Sequence, residues 1–135
     1  MAVRHNYDAD IDRSRLNKNL KEELRLVFRK HIHIPISGTR RTNTSNGVIT
    51  QKFRSLQIVA MLEDLTVTGP FKKLALEGIR QKHIDYLVAK WIESKYTRGT
   101  IENKISYLGA LLTWIEKAEL KATATMISAV RELPS

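Results

Sequence analysis

The sequence predicts an all-α chain, a small bundle of four to five helices, and three observations predict it. Apolar residues recur at helical spacing in several separate stretches, Gly, Pro and small polar residues punctuate those stretches, and strand-type alternation is sparse. With 135 residues, 42% of them apolar and no cysteine, the chain is long enough to bury a core without disulfide or metal staples.

Asp12 is placed to cap a first helix running to about Lys30, on which Leu16, Leu20, Leu24, Val27 and Phe28 form the apolar stripe. His31 to Ile36 alternates His, Ile, His, Ile, Pro, Ile and reads as a short extended piece, with Pro35 ending any helix before it. A second helix starts near Thr50, with Phe53, Leu56, Ile58, Val59, Met61, Leu62 and Leu65 supplying a broad buried face, and Gly69-Pro70 stops the chain after it. Phe71 to Gly78 is short and mixed, a turn of helix or an extended link. A third helix from about Arg80 to Ser94 buries Ile84, Leu87, Val88, Trp91 and Ile92. Tyr96 to Gly99 forms a turn, and a fourth helix from about Thr100 to Lys117 has Ile101, Ile105, Leu108, Leu112 and Ile115 as its core stripe, leaving Leu111 and Trp114 off it. The tail from Ala118 to Ser135 is a fifth, weaker helix.

Charge narrows the partners. The chain carries 23 Lys and Arg against 14 Asp and Glu, a net +9, and such a field concentrates polyanions. The asymmetry sits in the middle: from Ile32 to Leu62 there are Arg40, Arg41, Lys52 and Arg54 and no carboxylate. Thr44, Ser45 and neighbouring Gly, Asn and Thr residues make the arginine pair part of a polar loop suited to phosphate contacts. At the start of the fourth helix, Thr97, Arg98, Thr100, Asn103, Lys104 and Tyr107 gather hydrogen-bonding groups at a helix N-terminus, where the dipole is positive. The spacing of Thr100, Asn103, Lys104 and Tyr107 puts them on one side, where Asn can read an adenine edge and Lys a guanine edge. Lys82 joins this set at the start of the third helix.

Catalytic and metal constellations fail on spacing. Asp8, Asp10 and Asp12 imitate the start of a calcium loop, but its sixth position is Arg13 rather than glycine and its twelfth is Asn19 rather than glutamate. His31 and His33 lack a third ligand at sensible spacing. There is no GxxxxGK[ST], GxGxxG or GxSxG. No cofactor and no metal are expected, and no catalytic residue is assigned. No apolar run reaches the roughly 18 residues that span a bilayer, and there is no leader-like start, so a soluble cytoplasmic protein is expected.

The run His83-Ile84, Tyr86-Leu87, Trp91, Thr100-Ile101, Asn103-Lys104, Ser106, Leu108 and Trp114-Ile115-Glu116-Lys117 resembles the core-binding domain of phage-type integrases, the tyrosine recombinases. Gly38-Thr39-Arg40-Arg41, Ser45, Thr50, Arg54 and Leu56 through Leu65 are similar to the preceding half of the same domain. The resemblance implies a SAM-like helical domain over 37–117, preceded by a helix and connection over 1–36 and followed by the start of a linker over 118–135. It also implies double-stranded, attachment-site-like DNA as partner, further protomers of the same recombinase on that DNA, and a C-terminal catalytic domain of the parent chain. None of His5, His31, His33 or His83 has Arg three positions on, and Tyr7, Tyr86, Tyr96 and Tyr107 lie within or before binding-domain helices. The family's His-x-x-Arg and nucleophilic Tyr are therefore not found here, and the sequence is read as a non-catalytic fragment of a longer recombinase.

The alternative is a helical protein-interaction module without nucleic-acid binding, using Leu111, Trp114 and Trp91 toward a partner helix. A third reading, an RNA-binding bundle, lacks the exposed aromatic ladder of single-strand recognition.

Overall fold

A computed structural model describes residues 5–34, 47–121 and 124–133, and among them the chain is all-helical with no strand. It divides into two compact units, residues 1–76 and 77–135. That division falls inside the 37–117 stretch expected as one domain.

The first unit holds α1 (Tyr7–Arg13), α2 (Lys18–His31) and α3 (Val48–Thr66). One helix was expected where α1 and α2 stand, and the break between them has a local cause. Ser14 turns extended, its backbone N–H and its hydroxyl both bonding to the Ile11 carbonyl, and the Asn17 side chain then accepts the Leu20 N–H as the N-cap of α2. Leu16 is buried in the corner, and Glu63 of α3 accepts the Arg15 N–H at 2.9 Å, so the bend is fixed from across the unit. Arg25 of α2 then pairs with both Asp8, at 3.3 Å, and Asp12 on α1. The carboxylate expected to cap a helix is instead an ion-pair partner.

α1 packs against both α2 and α3. Ile11, Leu20, Leu24, Phe28, Ile58, Met61, Leu62 and Leu65 form the buried interior, each apolar side chain worth about 1.5–3 kcal/mol of transfer free energy. Tyr7 stands edge-on to Phe28, ring centroids 5.6 Å apart. After α2 the chain turns at Ile32 and His33 rather than extending, while Pro35 and Ile36 lie outside the described residues.

One polar cluster is set into this interior. The Asp10 carboxylate, only 6% exposed as a residue, accepts from His5 Nε2 at 2.6 Å, Ser55 Oγ at 2.6 Å and Arg13 at 3.0 Å. Because a carboxylate only accepts, Nε2 of His5 carries a proton. Beside it the buried Gln51 Oε1 accepts the His5 backbone N–H at 2.9 Å. The segment before α1 is thereby tied to α3.

α3 ends at a close approach. Phe71 N–H bonds to the Leu65 carbonyl, and Gly69 sits so near the helix end that a Cβ there would lie 2.7 Å from the Leu65 carbonyl oxygen and closer still to that of Asp64. The stretch after it resolves into a single 3-10 turn, Leu76–Gly78.

The second unit packs α4 (Gln81–Glu93), α5 (Arg98–Trp114) and α6 (Ala124–Arg131) pairwise. Ile84, Leu87, Val88, Trp91, Ile101, Leu108, Leu111, Leu112 and Val130 are buried. Leu111 (1% exposed) and Trp114 (7%) belong to this core, against the expectation that they lie off it. α5 touches both α4 and α6, so it buries a wider arc than one stripe; Ile105 and Ile115 are the half-buried edges.

These contacts set two stability effects. Asp10→Ala strands the donors of His5 and Ser55 in the interior and should cost about 3 kcal/mol in urea unfolding, whereas Arg13→Ala, at a largely exposed partner, should cost under about 1 kcal/mol. Gly69→Ala meets unyielding backbone and should lower stability by about 2 kcal/mol or more. Gly109→Ala, at an open position inside α5, should raise it by about 0.5–1 kcal/mol in the same assay.

Candidate nucleic-acid interface

The expected DNA contacts divide between the two units. Arg40, Arg41, Thr44 and Ser45 lie outside the described residues. In the first unit, Lys52 and Arg54 stand on the N-terminal half of α3. Two residues are about 200° of helix, so they do not share a face: Lys52 is exposed and Arg54 is half-buried.

The second unit brings together most of the rest. Thr97 N-caps α5, its hydroxyl accepting the Thr100 N–H at 3.3 Å, and Thr100 Oγ1 lies 3.0 Å from Thr97 Oγ1. Asn103 and Thr100 are exposed on the same side of the helix, with Lys104 and Tyr107 half-buried beside them. Gly99 leaves open space over this first turn. Hydrogen-bonding side chains, bare backbone and the positive end of the helix dipole thus coincide on one surface, the arrangement a phosphate or a base edge requires.

Two of the cations have internal partners. Arg98 donates to the Arg131 carbonyl at 3.2 Å and lies 3.9 Å from Glu102, one turn along. Lys104 Nζ sits 5.1 Å from the Tyr96 ring centroid and 5.8 Å from that of Trp91. Such cation–π contacts are worth about 0.5–1 kcal/mol at partly exposed sites, small enough for an incoming phosphate to displace them. Trp91 is 1% exposed, and its Nε1 has no hydrogen-bond acceptor among the described residues.

Lys82 is exposed in the first turn of α4. Next to it His83 is buried and its Nδ1 accepts the Arg80 N–H at 2.8 Å, closing the start of the helix. Burial first, and the Lys82 charge second, hold the imidazole below its ordinary value, favouring the neutral ring that can accept.

His5, Asp10 and Ser55 form a chain in which Ser55 Oγ bonds to the Asp10 carboxylate rather than to a histidine nitrogen, and Ser55 is fully buried. No group of three or more metal-ligating side chains occurs among the described residues. An open cleft of about 430 Å³ at the start of α2 sets Lys18 and Lys73 beside Glu23, whose carboxylate accepts the Leu76 N–H at 3.4 Å. No helix among the described residues is long and apolar enough to cross a membrane.

Sequence reasoning missed an exposed apolar face. Ile49 is 66% exposed, Phe53 49% and Leu56 39%, although Phe53 and Leu56 were expected in the core. A signal was present: Ile49, Phe53, Leu56 and Ala60 repeat at spacings of four, three and four, a second stripe opposite the one that Ile58, Leu62 and Leu65 bury.

Compared with protein-family models, curated proteins and solved structures, the chain matches none.

The His83 environment sets a pH dependence. Its value in the folded state lies below the ordinary 6.5 at which the unfolded chain titrates, so the unfolded state binds more protons as pH falls through that value. Stability present at about pH 7 should therefore fall toward about pH 5. Thermal midpoints across that range should decline less in His83→Gln, whose side-chain oxygen can still accept the Arg80 N–H.

Proposed function

We propose that this protein binds double-stranded DNA, in the manner of a recombinase core-binding domain, with no catalytic residues of its own. The observation that carries the reading is the start of α5, where Thr100 and Asn103 stand exposed over an open first turn on a chain of net charge +9. The carboxylate-free stretch from Ile32 to Leu62 supports it from sequence, with Lys52 exposed on α3. A SAM-like arrangement, attachment-site specificity, partner protomers and a separate catalytic domain belong to the same proposal through the resemblance to integrases. The rival reading loses the residues it was built on, because Leu111, Trp114 and Trp91 are all buried.

Salt dependence tests the proposal. Each phosphate neutralised contributes about −0.9 to the slope of log K against log salt. With Arg40, Arg41, Lys52, Arg54, Arg98 and Lys104 all on phosphate the slope should be about −5; if Arg98 and Lys104 keep their internal partners, it should be about −4. Fluorescence anisotropy of a labelled duplex at several salt concentrations measures it. Lys52→Ala should make the slope about one unit shallower and weaken all sequences alike, whereas Asn103→Ala should relax base preference by about 1–3 kcal/mol at one position. Undetectable or salt-independent duplex binding sinks the proposal.

A further inference from the structure

The start of α5 already has an occupant from within the chain. Arg98, in the first turn of that helix, donates from Nη1 to the Arg131 carbonyl at 3.2 Å, and Arg131 is the last residue of α6. That carbonyl lies at the negative end of the α6 dipole, where a cationic side chain satisfies a group the helix leaves open. Nε of Arg98 faces Glu102, 3.9 Å away. A bidentate grip on phosphate takes two neighbouring nitrogens of the fork, either Nε with Nη2 or the two Nη together. Each choice includes one that is directed at Glu102 or Arg131, so the docked side chain has no complete pair to give.

α6 is held lightly enough to give way. Its eight residues are too few for a helix to persist alone in water, so it is helical only while docked. Among its described side chains Val130 alone is fully buried, and Ile127 is 36% exposed. Beside the contact, an open cleft of about 170 Å³ lined by Glu102, Ile105, Ile127, Val130 and Arg131 runs between α5 and α6. An element with so little buried apolar surface opens at a small fraction of the cost of unfolding its unit. The approach to it is fastened separately, because Gln81 Nε2 on α4 donates to the Lys121 carbonyl at 2.6 Å. We infer that α6 is an autoinhibitory latch on the DNA surface: docked, it withholds Arg98 from phosphate, and duplex binding undocks it. The latch rests on the duplex reading, since it acts only where Arg98 meets phosphate. Coupling of this kind is reciprocal: whatever factor the duplex takes from α6 docking, α6 docking takes from duplex affinity.

The test uses the full chain. With saturating duplex, hydrogen exchange at the Glu132 and Leu133 amides, which bond to the Ser128 and Val130 carbonyls, should accelerate, while the amides of α4 keep their protection. Val130→Ala, which thins the α6 contact, should accelerate the same amides without DNA. It should also tighten duplex binding about three- to tenfold by fluorescence anisotropy, the scale of one hydrogen bond. In an Arg98→Ala background Val130→Ala should bring no such gain, because no phosphate contact is then being withheld. Leu133→Ala, at a half-buried position just past α6, repeats the comparison should Val130→Ala disturb α4. Duplex affinity unchanged or lowered in a variant with a loosened α6 overturns the latch and leaves the DNA reading standing, as does duplex binding with these amides still protected. A gain that persists in the Arg98→Ala background overturns it also. If neither the unsubstituted chain nor Val130→Ala binds duplex, the DNA reading falls and the latch with it; binding by Val130→Ala alone supports both.

Discussion

The first unit depends on one buried negative charge. Removing a carboxylate from water is costly by several kcal/mol, and Asp10 is tolerated only because three donors meet it, from His5, Arg13 and Ser55. Those donors come from the segment before α1, from α1 and from α3, so satisfying the charge specifies how these pieces meet. Apolar burial among Ile11, Leu20, Phe28 and Ile58 supplies most of the driving force but little direction. The carboxylate adds direction, since a helix turned away from it would leave a charge or a hydroxyl buried without a partner.

The same charge accounting bears on function. Asp8, Asp10, Asp12 and Glu63 engage Arg25, Arg13 and Arg15 within the unit. On the N-terminal half of α3 the Asp10 carboxylate reaches Ser55, and Lys52 stands exposed. In the second unit Arg98 donates to the Arg131 carbonyl and pairs with Glu102 one turn along, and Lys104 lies against the Tyr96 and Trp91 rings, so both cations are positioned before any ligand arrives.

Helices were legible in the sequence wherever the apolar residues form a single stripe. α4 is the clear case: it packs on both α5 and α6, and Ile84, Leu87, Val88 and Trp91 are buried where their spacing put them, with Ile92 half-buried at the edge. Legibility failed where apolar residues extend beyond one stripe. On α5 they cover a wider arc, so Leu111 and Trp114 are core despite lying off the main stripe. α3 has apolar residues on opposite sides, and periodicity alone does not say which side faces inward. The break between α1 and α2 was hidden because Leu16 keeps the helical spacing through it, while the decisive partner, Glu63, is distant in sequence. Of the candidate site, the Thr100/Asn103 side of α5 follows from spacing. The internal partners of Arg98 and Lys104 do not, because Arg131, Tyr96 and Trp91 come from other segments.

The two exposed surfaces differ in chemistry, and that difference argues for separate tasks. The α5 surface is polar, and its side chains carry either hydrogen-bonding groups or charge held near a helix N-terminus. It gains most from an anionic, hydrogen-bonding ligand and little from excluding water. The α3 face is apolar with a cation at its edge and gains most from excluding water, so a phosphate backbone would leave its main source of affinity unused.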